Sequence, residues 1–275
     1  NEDSIQGMYR HTMSDMADVS ALSGGMSLAL HVLRSKGATI RGSGAKTTGL
    51  APYLQSLQML TIHVNQGNTR KGALATYLGI WHDDIFDFLI AGSKHESPEK
   101  TAPLINYAVW MCDLFLKRAR KGEMWSLFNP QTAPGLEKVS GEEFEKLYLE
   151  YESKNLAVRQ VHSRELFEKL AKSCIEQGNT YVMFSDVVNM YANQRNLGNI
   201  PLSNLCTEIT QFCGIDIKGE KCSPVCVLSS VSLPYFFKKG VFRYDNLGKI
   251  VREIVQNLNN IIEFQLNPTA ETERT

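Results

Sequence analysis

The pattern of apolar and polar positions alternates along the chain between short apolar runs and longer amphipathic segments. Short apolar runs bounded by turn residues are typical of buried strands, and they predict strands at 26–33, 74–78, 107–111, 125–128, 181–184 and 225–228. Apolar residues spaced three and four apart predict helices at 5–22, 49–65, 81–89, 114–119, 142–151, 163–177 and 249–264. This alternation predicts an α/β fold whose strands are buried and mainly parallel.

The composition indicates a globular protein without a bulk attraction for polyanions. Of the 275 residues, 43% are hydrophobic, and Lys plus Arg equals Asp plus Glu at 29 each. Any anionic ligand must therefore be held by a local site. No apolar run approaches the roughly 18 residues of a membrane span, and the first ten residues do not resemble a signal peptide. We expect a cytoplasmic protein that binds neither nucleic acid nor a membrane.

The cysteine spacing does not indicate a structural zinc site. The six cysteines stand at positions 112, 174, 206, 213, 222 and 226, and none of them forms a C-x-x-C pair. Four lie between Cys206 and Cys226, which in a reducing compartment favours a metal or a catalytic thiol system over structural disulfides. The chain begins without methionine and ends in a charged tail, and we expect it to be a piece of a longer protein.

The strongest candidate for chemistry is the segment 203–209, S-N-L-C-T-E-I, which places an amide, a thiol and a carboxylate at alternate positions. In an extended backbone such side chains point to the same side. Asn204 could then hold a hydroxyl group, Cys206 could act as a nucleophile or redox group, and Glu208 could exchange a proton. The alternative is that Cys206 is a small buried hydrophobe.

Two loops rich in glycine and cations, at 34–44 and 66–73, flank one predicted helix and could hold a phosphate group. The alternative is a pair of solvated basic loops.

His82, Asp83 and Asp84 could bind a metal, although acidic residues are also expected in the first turn of a helix.

Several segments together resemble the large, catalytic subunit of class I ribonucleotide reductase, and they follow in order over essentially the whole chain. They are D-S-I-x-G-x-Y at 3–9, S-G-G at 23–25, I-R-G at 40–42, Q-G-x-x-R-K-G-A at 66–73, W-H-x-D-I-F-D-F at 81–88, W-S-L-F-N-P at 125–130, P-G-L at 134–136, F-E-K-L-Y-x-x-Y-E at 144–152, N-L-C-T-E-I at 204–209 and C-V-L-S-S-V-S-L-P at 226–234. Glycyl-radical and cobalamin-dependent reductases share the cysteine, but the segments at 125–130 and 144–152 are more similar to class I.

The resemblance implies the first half of a ten-stranded α/β barrel with a finger loop through its centre. It implies a single domain over 1–275, with effector-site elements at 1–80, barrel elements at 81–195, and the finger loop with the following strand and helix at 196–275. Cys206 would be the thiyl radical that abstracts a ribose hydrogen, with Glu208 as proton acceptor and Asn204 as hydrogen-bonding partner. Ser23, Gly25, Ser203 and Asn204 would bind a ribonucleoside diphosphate.

The resemblance also implies partners. Cys226 would be one member of the reducing cysteine pair, whose other member in the family precedes the segment at 3–9 and is absent here. The chain would need the remaining part of the large subunit, a second large subunit, thioredoxin or glutaredoxin, and a metal-containing small subunit that supplies the radical. It would carry no cofactor or metal itself, and alone it should not turn over.

A deoxynucleoside triphosphate or ATP effector would bind at the dimer interface, and the residues of its site would be Asp3, Ser4, Arg34, Arg41, Gln66 and Arg70. Asn68 stands where the family often has glycine. Two functions stay open: part of a ribonucleoside-diphosphate reductase, or a non-catalytic relative that binds nucleotides or a partner. The retention of Asn204, Cys206 and Glu208 favours the enzyme.

Overall fold

The computed structural model of this protein describes residues 2–40, 42–65 and 71–274. The chain forms two compact units, Asn1–Cys222 and Ser223–Thr275. The sequence-based division into one domain with three segments stays a prediction.

The first unit contains eight described strands and seven α-helices. The strands are β1 (Met26–Ala29), β2 (Leu74–Gly79), β3 (Asn106–Met111), β4 (Met124–Leu127), β5 (Arg159–His162), β6 (Thr180–Phe184), β7 (Gly214–Ile215) and β8 (Lys221–Cys222). The helices are α1 (Met13–Ala21), α2 (Ala51–His63), α3 (Ile85–Ala91), α4 (Asp113–Lys121), α5 (Gly141–Ser153), α6 (Ser163–Gln177) and α7 (Ser185–Tyr191). A π-helical segment, Gln6–Thr12, leads into α1.

The centre of this unit is a parallel sheet in the order β1-β2-β3-β6. Strand β2 is buried at every position, as expected for a strand that pairs on both edges and is covered on both faces. Strands β4 and β5 form a separate antiparallel pair, and β7 pairs with β8. The predicted α/β fold with parallel strands is confirmed.

The two faces of the sheet pack against different parts of the chain. Alternate residues such as Leu78, Tyr107 and Val109 join the larger core, where Phe88 of α3 packs edge-on against Tyr107 with ring centroids 5.1 Å apart. The residues between them, such as Tyr77, belong to a second buried cluster that includes Leu202 from the segment after α7. The period of two in a strand thus separates a side that packs against α3 from a side that packs against this segment and Val188 of α7.

Three local predictions are corrected. No strand forms at 225–228 in the described part of the second unit, because a strand needs a neighbour for its backbone groups and none pairs there. Helix α3 starts at Ile85 rather than at position 81, since 81–84 form a turn. Strand β1 ends at Ala29, four residues before the predicted end.

The second unit holds a short antiparallel pair, β9 (Phe237–Lys238) with β10 (Val241–Phe242), followed by α8 (Tyr244–Phe264) and α9 (Ala270–Glu273). Helix α8 starts five residues earlier than the sequence pattern predicts. Among the residues that the structure describes, no helix is both long and apolar enough to cross a membrane.

Two buried histidines make hydrogen bonds that hold the segments after β1 and β2 in place. The backbone N–H of Gly79 donates to Nδ1 of His31 at 2.9 Å, so the proton of the neutral ring is on Nε2, which donates to the carbonyl oxygen of Pro201 at 2.7 Å. Burial lowers the pKa of His31 to about 4. The neutral ring therefore links β2 to the segment after α7.

His82 uses the same arrangement. Its Nδ1 accepts the backbone N–H of Asp84 at 3.1 Å, and its Nε2 donates to the carbonyl oxygen of Leu33 at 2.7 Å. Burial lowers the pKa of His82 to about 4. Neither ring nitrogen has a lone pair left for a metal, so His82 fits a structural role and not the metal-ligand alternative.

We predict that the replacement His31→Gln weakens the acid sensitivity of folding. An unfolded histidine takes up its proton near pH 6.5 and the folded one near pH 4, so its contribution is complete above pH 6.5 and is lost as the pH falls to 4. Within that window, the slope of the unfolding free energy against pH should fall by about 1.4 kcal/mol per pH unit. Urea unfolding at several pH values measures the unfolding free energy and hence this slope.

Burial also raises the pKa of Asp84 to about 6, which acts in the opposite direction, but Asp84 is present in both proteins and cancels from the comparison. Ser173→Ala supplies a control, because it removes a buried hydrogen bond to the carbonyl oxygen of Leu89 without removing a titratable group, and it should leave the slope unchanged. Equal slopes for wild type and His31→Gln would contradict the buried neutral state.

Candidate functional site

Residues 199–213, here called the finger loop, run from the end of the α7 region to β7. The segment 203–209 does not have the extended backbone that the argument from alternate positions requires, since Leu205 and Cys206 form a turn. The backbone N–H of Thr207 donates to the carbonyl oxygen of Asn204 at 3.2 Å, and that of Asn204 donates to Ile209 at 3.2 Å. The alternation of side chains in a strand therefore does not apply here.

The side chain of Asn204 explains why the segment turns. Its Oδ1 accepts the backbone N–H groups of Glu208 and Ile209, both at 3.1 Å. Asparagine commonly replaces extended structure with such local side-chain to backbone bonds. The Nδ2 of Asn204 donates to Oε1 of Glu208 at 2.8 Å. The structure thus brings the amide and the carboxylate together, although not by the predicted route.

Cys206 lies exposed at the tip of this turn, so the alternative of a small buried hydrophobe is excluded in the described structure. The next residue, Thr207, has φ +64°, a left-handed conformation that is costly for a β-branched side chain. Its Oγ1 donates to the carbonyl oxygen of Cys206 at 2.6 Å. The thiol therefore lies on a strained turn that is stabilised by hydrogen bonds within the turn.

Side chains from β2, α7 and the turn after β1 hold the finger loop against the sheet. His31 donates to Pro201, as described above. Asn189 of α7 makes two hydrogen bonds with the backbone of Ile200: it donates to the carbonyl oxygen at 3.0 Å and accepts from the N–H at 2.7 Å. The hydroxyl of Tyr77 on β2 donates to the carbonyl oxygen of Asn204 at 2.8 Å.

The predicted substrate residues lie around the same tip. A Cβ atom added to Gly25 would come within 2.6 Å of Leu205 Cδ2, so the chain at the start of β1 approaches the turn closely. Ser203 is buried, and its hydroxyl donates to the carbonyl oxygen of Ile209 at 2.6 Å. Ser23 has φ +64° in the turn between α1 and β1. Substrate binding by these residues stays a prediction.

Two of the predicted effector residues meet. Nε of Arg34 donates to both carboxylate oxygens of Asp3, at 3.0 and 2.9 Å, and Nη2 donates to the carbonyl oxygen of Asp3 at 3.1 Å. Ser4 accepts the backbone N–H of Gly7 at 2.9 Å. The other three predicted effector residues lie outside the described residues: Arg41, Gln66 and Arg70.

Cys226 lies half-buried in the second unit. Within residues 2–40, 42–65 and 71–274, no group of three or more His, Cys, Asp or Glu side chains has the arrangement of a metal site. The finger loop carries an exposed thiol, Cys206, beside the hydrogen-bonded amide of Asn204 and carboxylate of Glu208.

The chain as a whole is similar to known proteins. The chain matches the family described as "Ribonucleotide reductase, barrel domain" over residues 1–275. The chain belongs to this ribonucleotide reductase barrel family. The resemblance in the sequence motifs is thereby confirmed, and the parallel sheet of the first unit is consistent with half of such an α/β barrel.

Curated relatives of this reductase barrel carry consistent names. A ribonucleoside-diphosphate reductase large chain from Encephalitozoon cuniculi is 39% identical over 275 residues, and one from Schizosaccharomyces pombe is 36% identical over 275 residues. A large subunit from Danio rerio is 38% identical over 276 residues. These alignments cover 100% of this chain but 35%, 33% and 34% of the relatives, so the chain spans about a third of their length.

Sequence reasoning missed the residues that hold the reductase finger loop. His31 could have been singled out, because a polar side chain inside an apolar run must find hydrogen-bond partners once buried. Tyr77 gave no such signal, since tyrosine is common in strands. Asn189 lies on a helix that the apolar pattern did not predict.

We predict that iodoacetamide labels Cys206 of the reductase barrel at least tenfold faster than Cys112. Cys206 is exposed, whereas Cys112 is buried and burial raises its thiol pKa, which leaves little reactive thiolate. Peptide mass spectrometry at successive times measures both rates, and labelling in urea should bring them close together. Equal rates in the native protein would contradict the described positions of the two thiols.

Proposed function

We propose that this chain is the part of a ribonucleoside-diphosphate reductase that carries the substrate-reducing thiol. The observation that carries the proposal is the exposed Cys206 at the tip of an anchored loop, two residues from the hydrogen-bonded pair of Asn204 and Glu208. Membership of the reductase barrel family and the names of the relatives support it.

In the proposed reaction, Cys206 as a thiyl radical takes the 3′-hydrogen of the ribose, which forms an S–H bond and leaves a carbon radical. The two bonds are close in strength, so the step is nearly balanced in energy. Glu208 accepts the proton of the 3′-hydroxyl group, and the 2′-hydroxyl group takes up one proton from a cysteine pair and leaves as water. The bond from Asn204 Nδ2 holds the Glu208 carboxylate in place for this proton transfer.

The cysteine pair then gives the substrate one hydrogen atom at C2′ and one electron and becomes a disulfide, while Glu208 returns its proton to the 3′-oxygen. Cys226 is the proposed member of that pair in this chain, and its partner belongs to the remaining part of the large subunit. Return of hydrogen from Cys206 to C3′ completes the deoxyribonucleotide and restores the thiyl radical. Hydrogen atoms and electrons therefore balance over the cycle.

The proposed assembly follows from these needs. A metal-containing small subunit supplies the radical, thioredoxin or glutaredoxin re-reduces the disulfide, and two large subunits form the effector site for a deoxynucleoside triphosphate or ATP. Asp3, Ser4, Arg34, Arg41, Gln66 and Arg70 are the proposed effector residues. Such an enzyme, which supplies precursors for DNA synthesis, is proposed to work in the cytoplasm. The non-catalytic alternative gains no support from a site whose thiol, amide and acid are all present.

We predict that Cys206→Ser abolishes the reduction of a ribonucleoside diphosphate when the chain is combined with the remaining large-subunit segments and the small subunit. A serine hydroxyl holds its hydrogen too strongly to form the radical, so activity should fall by at least about 10³-fold. Product formation by chromatography measures it. Cys174→Ser, at a half-buried cysteine on α6, should retain activity. Undiminished turnover by Cys206→Ser would refute the proposal.

We also predict that Glu208→Gln lowers kcat by roughly 10²- to 10⁴-fold, the usual effect of losing a positioned proton acceptor. A glutamine side chain can still accept from Asn204, so the turn and the KM for the nucleotide should change little. Steady-state kinetics of the assembled enzyme give both constants. An unchanged kcat would show that another group accepts the proton.

A further inference from the structure

The sheet face that contacts the finger loop carries an aromatic side chain with a single polar atom near the thiol. Tyr77 is fully buried on β2, and its ring packs edge-on against Trp110 of β3 with centroids 6.1 Å apart. Strand β2 pairs with β1 on one side and β3 on the other, so the Tyr77 ring stands on a strand that is held at both edges. Its hydroxyl is thus fixed by the sheet.

This hydroxyl acts on the residue that starts the turn. The carbonyl oxygen of Asn204 accepts from the Tyr77 hydroxyl at 2.8 Å and from the Thr207 N–H at 3.2 Å, which uses both of its lone pairs. The Thr207 bond spans Cys206, so the same oxygen that closes the turn is the one that Tyr77 holds. A displacement of this oxygen would move the thiol with it.

The direction of the bond is defined by chemistry. A backbone carbonyl can only accept, so Tyr77 must donate and must keep its proton. Burial raises the pKa of Tyr77, and the neighbouring Glu208 carboxylate raises it further, which keeps the phenol neutral throughout the working pH range. The hydroxyl of Ser203 lies close enough to bond the same phenol and partly offsets this effect.

The other anchors hold a different part of the loop. His31 and Asn189 bind the backbone at Pro201 and Ile200, near the base. Tyr77 binds at Asn204, two residues from the thiol. The hydrogen bonds from His31 and Asn189 fix the start of the finger loop. The hydrogen bond from Tyr77 instead fixes the orientation of the turn that contains Cys206.

We propose that Tyr77 is a positioning residue for the reduction of ribonucleotides: its hydroxyl fixes the turn that presents Cys206, without itself touching the substrate. The inference rests on the proposed function of Cys206. Displacement of a reacting atom by about 1 Å can cost roughly 10²-fold in rate, so loss of the hydroxyl should lower kcat by about 10- to 100-fold. The KM for the nucleotide should stay within about twofold, because Tyr77 does not contribute to binding.

The test compares Tyr77→Phe with Tyr107→Phe. Tyr107 is a matched control, since it is also fully buried on a central strand and also donates to a backbone carbonyl at 2.8 Å, that of Ala102. Its ring lies on the opposite side of the sheet from Tyr77, in the larger core. Both variants keep the aromatic ring and lose one buried hydrogen bond, so both should lower thermal stability similarly.

Two measurements separate positioning from mere stability. In the chain itself, hydrogen–deuterium exchange of the amides at 207–209 and the alkylation rate of Cys206 should change at least threefold in Tyr77→Phe and stay unchanged in Tyr107→Phe. In the assembled enzyme, only Tyr77→Phe should lower kcat. Equal effects of the two variants, or no change in Tyr77→Phe, would overturn the inference.

The outcomes also distinguish this inference from the proposed function. If Cys206→Ser abolishes turnover while Tyr77→Phe behaves like Tyr107→Phe, only the positioning role fails. If Cys206→Ser leaves turnover intact, the proposed function fails and the catalytic role of Tyr77 fails with it. Exchange at 207–209 would then report solely whether the tyrosine anchors the turn.

Discussion

The hydrogen bonds of the Asn204 side chain are the interaction on which the candidate site depends. One amide oxygen accepts two consecutive backbone N–H groups, from Glu208 and Ile209, and the amide nitrogen of the same residue donates to the Glu208 carboxylate. These three hydrogen bonds both turn the backbone and align the Glu208 carboxylate. Cys206 lies within this turn and is exposed.

This turn carries a conformational cost that the surrounding contacts offset. A β-branched residue in the left-handed region, as at Thr207, costs roughly 1–2 kcal/mol. Isolated loops relax such strain, but here hydrogen bonds from β2, α7 and the turn after β1 fix the loop at three points. Buried hydrogen bonds of this kind each contribute about 1 kcal/mol. The position of the thiol is therefore a property of the sheet as much as of the loop.

Sequence patterns predicted the central sheet well because its strands are apolar on both faces. Strand β2 is buried at all positions and reads as an apolar run, as β3 does. Strand β5 has the polar sequence R-Q-V-H and was missed, since its strand character comes from pairing with β4 and not from its own pattern. The opposite error occurred at 225–228, where an apolar run has no described partner strand.

The backbone of the candidate site could not be predicted from the spacing of its residues. The rule that alternate side chains share a face brought Asn204 and Glu208 together in the prediction, whereas in the structure their contact spans a turn of four residues. Local side-chain to backbone bonds compete with extended structure wherever asparagine occurs, and spacing alone does not reveal which one wins. The supporting bonds from His31 and Tyr77 span 170 and 127 residues of sequence, so they emerge only from the fold.

The sheet and the loop divide the chemistry between them. On the proposed reaction, a reactive sulfur must lie near groups that exchange protons and away from groups that would divert its radical. The loop supplies the polar groups, because Asn204 and Glu208 are bonded to each other beside the tip. The sheet contributes the buried rings of Tyr77 and Trp110, and its tyrosine hydroxyl is already committed to a backbone carbonyl. A phenol hydroxyl that already donates to a backbone carbonyl can fix the turn without competing with Glu208 for protons, which is why support and chemistry reside on separate elements of the fold.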